Sequence, residues 1–446
     1  MPPSAAELLL EIYRASVRGA DPGIAVREAL REAPCTADRP LWLLAIGKAA
    51  HTMATAAIGA LAEQGIAIAG GVVVGAHAEV SPHADIETAT GEHPLPGVQS
   101  LKAAERIGSI VSRVRPSDEV LVLLSGGGSS LAAAPVEGVT GDDLFALNAM
   151  LLNSGADIMV MNAVRKRFSR WAGGRLAQAL APARVRCLVI SDVHGDDPTF
   201  VASGPCSADP LFAADVQALL QEHELEGKLP VNVRRTLDVM IAGGARETPK
   251  PGDPAFANVT QRVILGNAHA LRAGATRATE LGVRPTFVSR EAILAGAAHT
   301  GAMLAHELVR FADSGLRRAN DPAPYACMLW GGETTVVLED GAHGTGGRCQ
   351  ELALSAAREL HRLGADGHGI TLLAAGTDGR DGPTDAAGAI VDGSTWAAIR
   401  AAGRDPERDL AGHDAFPAFE AIGALVRTGH SGTNVRDVAV GLVQPR

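Results

Sequence analysis

Six short apolar runs of the chain each end in residues that can bind or move charge: Gly47-Lys48, Ser125-Gly126-Gly127-Gly128-Ser129-Ser130, Ser191-Asp192, Gly266-Asn267, Gly331-Gly332-Glu333 and Gly376-Thr377-Asp378-Gly379. Glycine lets a backbone approach a ligand closely, while Lys, Asp, Glu, Ser and Asn supply charge and hydrogen bonds. Any one such loop is explained by a tight turn; six together point to a large polar site. The sharpest is LVLLSGGGSSLAAAP, with three glycines after an apolar run, hydroxyls at Ser125, Ser129 and Ser130, and a helical stretch behind. Backbone N–H groups and a helix N-terminus there could cradle a phosphate or a carboxylate. The spacing does not make an esterase elbow, which needs its serine between two glycines with one residue on each side.

A second glycine-rich segment, Gly341 to Arg348, opens the helix expected over Cys349 to Leu363 and resembles a phosphate loop without the Gly-Lys-Ser/Thr ending. It offers Arg348, whose guanidinium could meet phosphate or carboxylate oxygens two at a time. Asp378, Asp381 and Asp385 miss the calcium-loop spacing; with Asp192, Asp196, Asp197 and Glu333 they form an oxygen-rich set suited to Mg²⁺. His194 and His430 lie in loops, and the chain lacks zinc-ligand spacing. The run Arg165, Lys166, Arg167 and Arg170 reads as a solvated helix face or as a face turned to an anion.

These loops need elements to hold them. Strands are expected near Leu41 to Ile46, Gly71 to Gly75, Val120 to Leu124, Val185 to Ser191, Gln261 to Leu265, Pro285 to Ser289, Ala326 to Trp330, Thr334 to Leu338 and Ile370 to Ala375, alternating with alanine-rich helices after two opening ones. Continuous apolar strands of this kind belong to parallel sheets covered on both faces. The proline- and glycine-rich stretch from Gly243 to Asn258 reads as a linker, giving α/β domains over 1–245 and 259–446 joined by 246–258, with ligands between them. The 446 residues suffice for two domains. A net charge of −10 and few aromatics argue against a nucleic-acid partner. No apolar run approaches membrane-spanning length, the N-terminus lacks signal-peptide features, and five scattered cysteines suit a reducing compartment, so a cytoplasmic location is expected.

The motifs AIGKAA, GEHPLP, LLSGGGSSL, N-x-x-R-K-R, VISDVHGDD with ASGP, GGETTV with GTGGRCQELAL, GTDG with DGPTDAAGA, and SGTNVRD occur in this order along nearly the whole chain. The sequence resembles the glycerate 2-kinases with a MOFRL C-terminal region, some members of which carry the competing name hydroxypyruvate reductase. The resemblance implies ATP- and Mg²⁺-dependent phosphorylation of D-glycerate, normally at the 2-hydroxyl with the 3-hydroxyl as alternative. It also implies a cleft between a Rossmann-like N-terminal α/β domain and a smaller α/β domain. Lys48, Asp192 and Arg348 would be the active-site residues, with Ser125 to Ser130 and Asn267 on the nucleotide. Asp192, Glu333 and Asp378 would serve metal or substrate, and the longer VHGDDPTFVASGP spacer leaves open which of Asp192, Asp196 and Asp197 faces the metal. A homodimer is admitted but not required. A nicotinamide-dependent reductase would want G-x-G-x-x-G after the first strand, where this chain reads GKAAHTMA.

Overall fold

The computed structural model describes residues 3–314, 323–338 and 343–444. The chain forms two units, Pro22–Ile264 and Met1–Asp21 with Leu265–Arg446. Among the described residues no helix is long and apolar enough to cross a membrane.

The first unit is built on strands β1 Leu41–Ile46, β2 Ile68–Gly75, β3 Ile86–Thr90, β4 Glu119–Leu124, β5 Arg184–Ile190 and β6 Val259–Leu265, in the order β3-β2-β1-β4-β5-β6. The pairs from β3 to β5 are parallel. This is the doubly wound, Rossmann-like order. Every residue of β1 and β4 is buried, as the apolar runs LWLLAI and EVLVLL require when both faces are covered. β3, with the weak pattern IETAT, buries one residue on an edge and gives no clear periodicity in the sequence.

The stretch 246–258, expected to link two domains, lies within the first unit, and β6 completes that unit's sheet. The cause is a buried cation. The fully buried Arg167 pairs with Asp209 at 2.9 Å and with Glu247, and donates to the Thr248 hydroxyl at 2.9 Å. The prolines break periodicity here, but the segment is pinned to the helix Ile158–Phe168 instead of swinging free.

The second unit carries β7 Thr286–Val288, β8 Ala326–Gly332, β9 Ile370–Gly376, β10 Gly388–Asp392, β11 Leu425–Val426 and β12 Asp437–Val443, in the order β11-β10-β9-β12-β8-β7. Its sheet is mixed, with β12 inserted antiparallel between β8 and β9. The expected strand over Thr334–Leu338 does not form: Thr335 makes one isolated bridge to Gly296, and Val337 is 79% exposed. The opening helix Ala5–Arg18 belongs to this unit. It starts from a Ser4 cap, buries Leu8, Leu9, Ile12 and Tyr13, and sends the Tyr13 hydroxyl to the Gly376 carbonyl oxygen at 2.6 Å. Gly274 of the helix Asn267–Glu280 permits this packing, because a Cβ there would stand 2.3 Å from Ser16 Oγ.

Candidate active site

In the first sheet the strand order reverses between β1 and β4, and ligands of such sheets collect beyond the carboxyl ends of the strands at that point. The loops there are Gly47-Lys48 and Ser125–Ser130, and the backbone locks them together. The Lys48 amide donates to Gly126 O at 2.9 Å, and the Ala49 amide to Ser125 Oγ at 3.0 Å. Gly47 takes φ +132° with the place of its missing Cβ 2.2 Å from Ser125 Oγ, so the contact of the two loops requires glycine.

Asp192, from the end of β5, lies on the glycine loop: a Cβ on Gly126 would stand 1.7 Å from its Oδ2. Gly127 takes φ +83°, against Lys48 Cγ and His93 Cδ2. The amides of Gly126 and Gly127 meet no protein acceptor among the described residues, and the exposed Lys48 side chain makes no ion pair among them. The helix after the loop is a single turn, Gly128–Leu131. An anion placed here would meet free amides and Lys48 more than a helix dipole. The serine hydroxyls are engaged within the protein, Ser129 with Ser203 at 2.8 Å and Ser130 with Pro94 O at 2.8 Å. Ala202, against Gly128, and Ser203, bonded to Ser129, both have positive φ, so strained backbone lies beside the loop.

Two further residues face this loop. The His93 imidazole is pushed down to about 4 by desolvation and then by the charges of Lys48 and Arg165, so it is neutral near pH 7. Burial also depresses Arg165, whose Nε is buried without a hydrogen-bond partner. His93 sits in the GEHPLP motif and Arg165 in the basic run, but nothing in their spacing shows that they meet. That run is no solvated face: Lys166 and Arg167 are buried, Arg165 is half-buried, and only Arg170 is exposed.

In the second unit β12 begins at Asp437, paired with Gly332 at the end of β8 and Gly376 at the end of β9. Arg348 opens the helix Arg348–Arg362 and grips Asp437 with both arms of its fork, Nε to Oδ2 at 2.6 Å and Nη2 to Oδ1 at 3.0 Å. Its Nη1 pairs with Glu333 at 3.1 Å. Desolvation would lower Arg348, but the Asp437 hydrogen bonds and the charges of Asp437 and Glu333 raise it above the ordinary arginine range. Asn267 donates its amide to the Val435 and Asp437 carbonyl oxygens at 2.8 and 3.0 Å, tying down the start of β12. Arg348 and Glu333 line an open cavity of 460 Å³ together with Gly347, Glu351 and His413. Residues 341 and 342 of the expected glycine loop lie outside the described residues.

The aspartates of GTDGRDGPTD do not converge. Asp378 accepts from the Arg380 amide at 3.0 Å, and Asp385 pairs with Arg427 at 3.0 Å. Asp381 accepts from the Cys349 and Gln350 amides at 3.0 and 2.8 Å. Burial pushes Asp381 up to about 7 against those two donors. Among the described residues no group of three or more His, Cys, Asp or Glu could by itself hold a metal ion. Mg²⁺ bound with substrate phosphates needs only one or two carboxylates, and Asp192 beside the free amides meets that requirement.

Two family models match: a domain of unknown function, DUF4147, over residues 8–238, and the MOFRL family over 326–437. The chain is 38% identical to the D-glycerate 2-kinase of Thermotoga maritima over 446 residues, covering 99% of each protein. The crystal structure of a Thermotoga maritima glycerate kinase superposes with a TM-score of 0.84 at 36% identity, covering 98% of both chains. The chain belongs to the MOFRL glycerate kinase family. An Agrobacterium vitis relative, 40% identical over 99% of this chain and 95% of its own length, is provisionally named a hydroxypyruvate reductase. The turn after β1 lends that name no support here. A dinucleotide pyrophosphate is held by G-x-G-x-x-G at this turn, whereas Gly47 is packed on Ser125 and Lys48 follows it.

Proposed function

We propose that the protein transfers the γ-phosphoryl group of ATP to D-glycerate, at the 2-hydroxyl, in a Mg²⁺-dependent reaction. The observation that carries this reading is Lys48, a cation without an ion pair among the described residues, at the strand-order reversal beside two free amides and the Asp192 carboxylate. Phosphoryl transfer needs positioned oxygens, cations over the equatorial oxygens and a carboxylate, and little covalent chemistry. The amides of Gly126 and Gly127 and the Lys48 ammonium hold nucleotide phosphate oxygens. Asp192 is the carboxylate for Mg²⁺, which when bound would neutralise developing phosphate charge. Arg348, held in one orientation by Asp437, exchanges its Glu333 contact for an anionic substrate oxygen, the glycerate carboxylate or the γ-phosphate. Asn267 serves by fixing the β12 backbone that carries Asp437. With all five cysteines free and buried, the reading is of a cytoplasmic enzyme.

The test is purified protein with Mg-ATP and D-glycerate, the product assigned as 2- or 3-phosphoglycerate by NMR, beside hydroxypyruvate with NADH or NADPH. Formation of 2-phosphoglycerate that stops when EDTA is added is expected. Nicotinamide oxidation with glycerate and ATP left untouched would sink the reading.

A further inference from the structure

Away from the glycine loop, the first unit has an open cavity of 1140 Å³ walled by the Pro135–Val139 segment, residues 170–179 and the helix Val231–Ile241 with the turn after it. Four arginines line it, Arg170, Arg175, Arg235 and Arg246, against one carboxylate, Glu137. The concentration of like charge is unexpected in a chain of net charge −10. The side chains of Arg235 and Arg246 are exposed and make no ion pair or hydrogen bond among the described residues. The exposed Arg170 has its guanidinium 5.6 Å from the centre of the Trp171 ring. Arg175 is structural, with Nη1 on the carbonyl oxygens of Lys166 and Ser169, yet its Nη2 is buried without a partner. Burial and the charge of Arg167 bring Arg175 down to about 10, against the opposing charges of Asp209 and Glu247.

Four guanidinium groups lining one cavity with a single carboxylate among the lining residues repel one another, and a phosphate bound there relieves that repulsion through paired N–H···O bonds. The volume exceeds the needs of one phosphate, and Trp171 and Met240 give the cavity an apolar wall. We propose that this cavity is a second anion site, separate from the Lys48 site, which takes a small organic molecule bearing two or more phosphate groups. It borders the chain that continues the glycine loop. The Val136 amide donates to Phe168 O at 3.1 Å and the Arg170 amide to Ala134 O at 2.8 Å, so one wall of the cavity is tied to the residues just after Gly128–Leu131.

The experiment is calorimetric titration of the full chain with pyrophosphate at low salt. The wild type is compared with Arg235→Ala/Arg246→Ala, and with Arg290→Ala/Arg400→Ala, which removes two exposed arginines outside the cavity. Circular dichroism checks folding. The cavity variant should bind at least tenfold more weakly, while the control variant binds as the wild type does. Unchanged binding by the cavity variant, an equal loss in the control, or no binding by the wild type at millimolar pyrophosphate would each overturn the proposal.

Discussion

Lys48 has no counter-ion among the described residues and Arg348 has two, which sets how each should respond to mutation. Lys48→Ala leaves nothing unpaired, so the fold should persist while turnover falls about a hundredfold or more, the loss typical of removing one preorganised charge-stabilising donor. Arg348→Ala should cost turnover as much, and stability as well, because Asp437, with a side chain 4% exposed, loses its partner. Steady-state kinetics with thermal melts separate the two patterns; near wild-type turnover in either folded variant removes that residue from the mechanism. His93 gives a pH prediction. Its folded value near 4 lies below the ordinary 6.5, so between those values the unfolded chain binds the extra proton. Stability should therefore decline as pH falls from about 6.5 to about 4. His93→Gln should flatten that part of a denaturation-midpoint profile against pH.

At the scale of elements, two buried ionic contacts hold segments that sequence grammar marks as loose. Arg167 joins the helix Ile158–Phe168 to Asp209 and to the 246–250 stretch, where Lys250 also donates to Thr248 at 3.0 Å and to Leu211 O. Arg167→Leu strands the buried Asp209 carboxylate and should destabilise by about 3–5 kcal/mol. Urea unfolding measures that cost, and limited proteolysis with trypsin should show new cleavage after Arg246. The helix Arg348–Arg362 starts from Gly347 with no side-chain cap of its own, and Asp381 supplies the missing acceptor from a distant loop. Asp381→Ala should cost about 1–2 kcal/mol, as for loss of an N-cap. Its turnover should drop with it, since Arg348 is the first residue of that helix; full activity in the destabilised variant would detach Arg348 from the cap.

For the molecule as a whole, the second unit is discontinuous, because the chain begins within it before building the first. Leu9, Ile12 and Tyr13 are 0% exposed, and each fully buried apolar side chain of this size stabilises by about 1.5–3 kcal/mol. Deleting residues 1–21 should thus weaken the second unit and spare the first. Hydrogen exchange read by mass spectrometry should show lost protection in β9, β12 and the helix Asn267–Glu280, with β1, β4 and β5 unchanged. Loss spread equally over both units would contradict the division.

Much of this was legible because it depends on local pattern. The apolar runs at Leu41–Ile46 and Glu119–Leu124 can satisfy their burial only as central strands, and the residues just past them must lie at one end of the sheet. The places of Lys48 and the glycine loop follow from that, as the place of Asp192 does from the apolar run Arg184–Ile190 before it, while their choice as active-site residues came from the motif resemblance. The ordered motifs also gave the family. What sequence spacing leaves open is set by contacts between residues far apart in the chain. The Asp437 grip on Arg348 depends on β12 inserting antiparallel between β8 and β9, and helical or strand periodicity does not encode a partner 89 residues away. The same holds for 246–258, whose prolines and glycines describe its own backbone but not the buried Arg167 that fixes it. Tertiary structure decided these points because ion pairing and burial depend on what surrounds a side chain, whereas sequence reports only what precedes and follows it.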